Sequence, residues 1–456
     1  MHTTQILDKE SAAKVTATRE RERALARMVM LYIATGLLFM LLPGTFLGVW
    51  NLVSISGRQA ANSISPAWLQ AHGHAQVFGW IGTFILGIGF YSIPRLRSSK
   101  PFALREAWTC WALWTTGVAA RWAVTVYGWH WRVGMPVSAA MELIAFLIFF
   151  RAVSSHKPVA AGEARAKLDR WILVVIAGTL GLLATLVANL GGAIWASLHS
   201  ATPAFTPNFD PRYLALMAWG FLVPFVWGFS ARWLPVFLGL RKPCERGLMV
   251  MVALNSAGVI LALFALYRAA TLLLLAGAIL SNLALRVQTR PIQAAKTNDV
   301  YAGYPVFARL AYAWLVLAAA LGSWAAFAVN PDGIWGASRH ALTVGFVATM
   351  VFVVGQRVLP AFSGMRLLYS PRLMAVGLYT LTAGCTLRVS SEVLAYQGIW
   401  QGAWKVLPVS AVTELTAVTL FALNLALTFR SVPVSSRLVQ IRRETAMPRM
   451  GGVVNL

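Results

Sequence analysis

Imidazole, guanidinium and carboxylate each occur twice in this chain at nearly the same spacing. His74 recurs as His340, Arg121 as Arg388 and Glu142 as Glu414. The stretch HAQVFGWIGTFILGIGFYSIP begins at His74 and HALTVGFVATMVFVVGQRVLP at His340. Aligned without gaps, they also share Ala75/Ala341, Gly79/Gly345, Thr83/Thr349, Gly89/Gly355 and Pro94/Pro360. MPVSAAMEL around Glu142 recurs as LPVSAVTEL around Glu414. Two imidazoles from two helices at one depth suit a planar cofactor ligated on both faces, as in haem. The repeat therefore pairs His74 with His340, facing each other across the interior. Imidazole also suits copper, so spacing alone leaves the metal open. His72 stands two residues before His74, about 200° around a helix. The two cannot reach one iron together, which leaves His72 as a residue at the helix start, a ligand of a second haem or a copper ligand.

The duplicated charges have two readings each. Arg121 and Arg388 suit haem propionates, because a guanidinium fork matches a carboxylate; otherwise they pair with the glutamates. Arg388 and Glu392 also stand at i, i+4. Glu142 and Glu414, with Gln76 and Arg339, suit support of the ligands through hydrogen bonds; otherwise the glutamates tie helices together. Either way, a charge at membrane depth costs about 2.5–3.5 kcal/mol on insertion scales. All four should therefore point into a bundle.

The elements that hold these residues are apolar helices. The chain has 456 residues, is 58% hydrophobic and has mean hydropathy +0.65, well beyond a soluble protein. Runs of about 20 apolar residues occur near 27–49, 70–92, 107–127, 135–154, 170–193, 212–234, 247–267, 269–287, 306–328, 339–359, 373–394 and 406–429. Only helices satisfy the backbone in so many short lipid-facing runs, so the class is all-α and polytopic. Twelve helices divide into three sets of four, approximately 27–160, 165–290 and 305–430. The sixth, ALMAWGFLVPFVWGFSARWLP from Ala215 to Pro235, is the middle copy. Gly220, Arg232 and Pro235 keep the register, while Ala215 replaces the histidine. Residues 27–430 thus form one membrane domain between basic tails at 1–26 and 431–456. The three copies imply an axis along the membrane normal.

Net charge is +24, but its distribution argues against nucleic acid. Of the 39 Lys and Arg, 31 fall in the tails and in the loops after the even-numbered helices up to the tenth. That is the positive-inside bias. It predicts cytoplasmic termini, with lipid as the bulk partner and the six duplicated residues in the outer half of the membrane. Trp129, Trp131, Trp335 and Trp404 are expected as interfacial anchors. The first 24 residues lack the apolar core of a signal peptide. Cys110, Cys244 and Cys385 have no metal or disulfide spacing. Walker A, CxxCH and HExxH motifs are absent.

HGHAQVFGW, from His72 to Trp80, resembles the HxHExxxG signature of the NnrS family. RHALTVGFVATM, from Arg339 to Met350, is similar to that family's HALTVG element, and SARWLP, from Ser230 to Pro235, resembles its GRVIP stretch. Ala75 stands where the family carries an acidic residue, and Ala231–Arg232 replaces its GR pair. The resemblance implies a haem- and copper-containing inner-membrane protein of the response to nitric oxide and nitrosative stress. We take the haem as b-type. The helix plan also resembles subunit I of haem-copper oxidases, whose low-spin haem is held by histidines on helices two and ten. In those proteins a further histidine stands two residues before the helix-ten ligand; this chain has Ser338 there. It lacks the copper-binding histidine of helix six, and helix seven has no histidine pair. A binuclear centre and terminal oxidase activity are therefore not expected. Competing expectations are a small-solute or metal transporter and a degenerate oxidase or nitric oxide reductase subunit.

Overall fold

The computed structural model describes residues 2–60, 63–96, 102–154 and 169–432. Its elements are helices, and no strand occurs among the described residues. Twelve long helices follow the chain. They are α1 (His2–Phe39, Met40–Phe46, Leu47–Arg58), α2 (Pro66–His74, Ala75–Gly82, Thr83–Leu96), α3 (Leu104–Tyr127), α4 (Trp131–Ser154), α5 (Arg170–His199) and α6 (Asp210–Ala215, Leu216–Leu222, Val223–Leu238). They continue with α7 (Glu245–Leu263), α8 (Tyr267–Leu285), α9 (Tyr304–Phe327), α10 (Ile334–His340, Ala341–Ala348, Thr349–Phe362), α11 (Pro371–Tyr396) and α12 (Ala403–Arg430). Eleven are long and apolar enough to span a membrane. The twelfth, α3, is 24 residues long but carries Arg105, Glu106 and Arg121, which lower its hydropathy. It packs against α4, and its Cys110, Trp114 and Arg121 are buried.

Burial separates an inner set from an outer one. The most apolar windows of α2 and α10 are each 72% buried and that of α6 is 67%, against 33% for α5 and α7. The three innermost helices are therefore those aligned as copies in the sequence. Each also carries a π-helical segment at the same register. The segments are Ala75–Gly82, Leu216–Leu222 and Ala341–Ala348, beginning directly after His74, Ala215 and His340. π segments are costly interruptions of the α-helical ladder and are frequent at functional positions. A fourth lies in α1 at Met40–Phe46 and includes Pro43.

Matched positions on α3 and α11 also pack alike. Gly117 of α3 and Gly384 of α11 each stand four residues before the duplicated arginine. A Cβ at Gly117 would lie 3.0 Å from Glu142 Cγ, and one at Gly384 would lie 2.8 Å from Glu414 Cγ. Both glycines thus let the helix approach its glutamate. Close approach through small residues replaces the hydrophobic drive that lipid removes. Ser138 and Ser410 match as well, donating to Met135 O at 2.8 Å and to Leu407 O at 2.6 Å.

Two details differ from the sequence-based expectation. The first helix begins at His2, upstream of the apolar run. Trp404 is buried rather than an interfacial anchor: its ring packs on Tyr396 at 4.8 Å, and its carbonyl accepts from the Ser56 hydroxyl. Trp129 is exposed as expected. The second basic tail, 431–456, lies outside the described residues from 433 onward.

Candidate functional site

The structure divides the sequence-predicted residues between the two sides of α2. Ser65 caps the start of this helix, accepting from Ala67 N at 3.3 Å, and Pro66 occupies its first turn. His72 then faces α1. Its Nδ1 lies 2.9 Å from Gly44 O. A carbonyl can only accept, so Nδ1 carries the proton and Nε2 keeps its lone pair. Gly48 makes room for the ring, since a Cβ there would lie 2.6 Å from His72 Cε1. Gln76, one turn on, donates to Thr45 Oγ1 at 2.8 Å and ties α2 to the same π segment of α1.

His340 is held in the same way. Its Nδ1 lies 3.0 Å from Gly336 O, one turn back in α10, and 3.5 Å from Glu392 Oε2. Again Nε2 is the uncommitted nitrogen. Arg388 NH2 stands 3.4 Å from Glu392 Oε2, the i, i+4 pair visible in the sequence. His72, Arg388 and Arg339 all lie within electrostatic range of His340, and Arg388 does so for His72 as well. Arg388 NH1 and Glu414 Oε1 are buried with no protein hydrogen-bond partner. Orphaned groups of this kind are costly where no water reaches them.

His74 faces the opposite way. Its Nε2 is 2.8 Å from Glu142 Oε1, and Glu142 Oε2 accepts from Asn189 Nδ2 of α5 at 3.2 Å. The His74 ring also packs on Phe78, with centroids 4.6 Å apart. Arg121 is buried on this side, within electrostatic range of Tyr213 and Glu142. Its guanidinium sits 4.8 Å from the Phe205 ring centroid. No ion pair joins it to Glu142 among the described residues, so the Arg121–Glu142 bridge weighed from the sequence does not form. Arg121 NH1 and Tyr213 Oη have no partner.

Several of these residues were not singled out from the sequence. Tyr213 could have been: it stands two residues before Ala215, as His72 does before His74 and Ser338 before His340. Phe205 and Asn189 gave no such signal, because their roles depend on which helices neighbour one another. Gly48→Val is expected to push His72 off its present orientation and to destabilise the protein by about 1–3 kcal/mol, the usual scale of overpacking. Thermal unfolding of the variant beside the wild type checks this.

The model of the NnrS protein family matches residues 29–431. The chain belongs to the NnrS family. The match takes in α2, α6 and α10 and every residue of both clusters. No curated protein matches the chain. Among solved structures, a haem-copper terminal oxidase dimer determined by cryo-EM is similar, with TM-score 0.70 and 12% identity over 90% of this chain and 85% of that one. At this identity the likeness is one of fold. The NnrS member described here is therefore an all-α polytopic membrane protein with the helical arrangement of that oxidase.

Proposed function

We propose that this NnrS family member holds a haem between His72 and His340 in the outer half of the bacterial inner membrane, and serves the response to nitric oxide and nitrosative stress. The repeat paired His74 with His340, but His74 Nε2 is taken by Glu142. The observation that carries the reading is the shared state of the other two rings. Each gives Nδ1–H to a backbone carbonyl, which leaves Nε2 as a metal ligand of fixed tautomer and orientation. Arg388, with NH1 unpartnered, is the propionate partner on this side. Glu392 Oε2 lies 3.4 Å from Arg388 and 3.5 Å from His340 Nδ1, without a hydrogen bond to either.

Bound there, haem supplies one-electron chemistry and an iron whose potential the ligands and the low dielectric set. The chain's own residues do the rest. They fix two imidazoles by hydrogen bonds from Nδ1 to carbonyls and enclose them between α1, α2, α10 and α11. No group of three or more His, Cys, Asp and Glu side chains with metal-site spacing occurs among the described residues. Two imidazoles without a third ligand suit two haem faces better than a closed copper site. The 31 basic residues of the tails and even-numbered loops support cytoplasmic termini.

The test is the absorption spectrum of the full chain purified from haem-supplied cells, with haem and copper measured per protein. A low-spin spectrum at one haem per chain is expected. A colourless folded protein that takes up no haem on addition would overturn the reading.

A further inference from the structure

We infer that the opposite side of α2 carries a second site, built from Arg121 and Tyr213 beside the His74–Glu142 pair, that binds a small planar monovalent oxyanion of carboxylate or nitrite type. The inference stands whether or not haem binds at His72 and His340.

Its first support is an unpaired buried cation. Arg121 is 3% exposed and makes no ion pair or protein hydrogen bond among the described residues; its one contact of note is the Phe205 ring face. Glu142 is in electrostatic range, but both its oxygens are engaged elsewhere, with His74 and Asn189. Arg121 NH1 and Tyr213 Oη are both buried and both lack an acceptor. Two donors, one of them charged and both without a partner, call for an acceptor bearing negative charge. A flat two-oxygen anion matches the guanidinium fork, and a spherical one does not.

The second support is placement. His72 and His340, from the first and third copies, meet beside Arg388. At the same register, His74 and Tyr213, from the first and second copies, lie beside Arg121. The phenol at 213 thus stands where the imaginary threefold partner of His72 would stand, and it supplies a donor in place of a metal-ligating nitrogen. Arg121 and Arg388 each leave NH1 unpartnered.

The third support is a built cover. The segment between α5 and α6 turns inward, with Ala204 and Phe205 buried. Gln70 clamps it from α2. Its Oε1 accepts from Phe205 N at 2.7 Å, while its Nε2 donates to Phe205 O at 3.2 Å and to Asp210 Oδ1 at 3.0 Å. Phe205 packs on Tyr213 at 5.2 Å and on Arg121. The aromatic cover shields the anion from water, which strengthens a charge-assisted bond.

Thermal unfolding of the purified full chain, titrated with sodium formate, sodium nitrite and, as the spherical control, sodium chloride, tests the site. Formate and nitrite should give a saturable upward shift in Tm, and chloride at equal ionic strength should give none. Arg121→Gln should abolish the shift while leaving haem content and spectrum unchanged. Tyr213→Phe removes one oxygen and should weaken the apparent affinity about tenfold, the scale of a hydrogen bond to a charged group. It keeps the test open should Arg121→Gln fail to fold. The absence of any saturable shift in the wild type overturns the site, as does an undiminished response in both variants. Loss of haem from folded Arg121→Gln does so as well, because it would make Arg121 a propionate partner.

Discussion

His72→Ala and His340→Ala are each expected to abolish the low-spin haem spectrum, whereas His74→Ala is expected to retain it. The three histidines differ in which nitrogen is free. His72 and His340 donate from Nδ1 to Gly44 O and Gly336 O, so removing either ring removes one of the two proposed Nε2 ligands. His74 spends Nε2 on Glu142, so its loss leaves both proposed ligands in place. It costs stability instead. Glu142 is fully buried and would keep only Asn189 as partner; an unsatisfied buried group costs about 1–3 kcal/mol, more when charged. The measurement is the visible spectrum at equal protein concentration, with thermal unfolding in parallel. An unaltered Soret band in His72→Ala together with its loss in folded His74→Ala would falsify the assignment and restore the pairing that the repeat suggests.

Gly181→Val is expected to be among the most destabilising single changes in the bundle. Gly181 of α5 backs directly onto the Gly220 carbonyl of α6, so a Cβ there would collide with backbone. A side chain in the way could rotate aside, but a helix backbone cannot. Overpacking typically costs about 1–3 kcal/mol, and this case belongs at or above the upper end. Gly191→Val is the control: nothing lies within 4 Å of a Cβ at Gly191, and a change of this kind usually stays within about 0.5 kcal/mol. Thermal unfolding of the two variants beside the wild type gives the comparison. Equal midpoints would show that the helices can separate without cost.

The membrane class, the all-helical backbone and the family were legible in the residues themselves. Apolar runs of spanning length admit only one backbone solution in lipid. HALTVG and HGHAQVFGW are local strings that survive without knowledge of the fold. The burial of Arg121, Glu142 and Arg388 also followed from the cost of charge at depth. Partnership did not follow. A linear repeat aligns His74 with His340 because it compares positions within copies. The proposed sites, however, lie between helices, where a residue of one helix meets one from its neighbour. The 200° between His72 and His74 sends the two rings to different sides of α2, and only the positions of α1, α4 and α11 decide what each ring finds there. Tertiary structure therefore gave Glu142 to His74 and brought His72 to the side of His340 and Arg388. It also brought Gln70, Phe205 and Tyr213 around Arg121. Hydrogen bonds between side chains far apart in sequence depend on helix packing, which composition and periodicity do not encode.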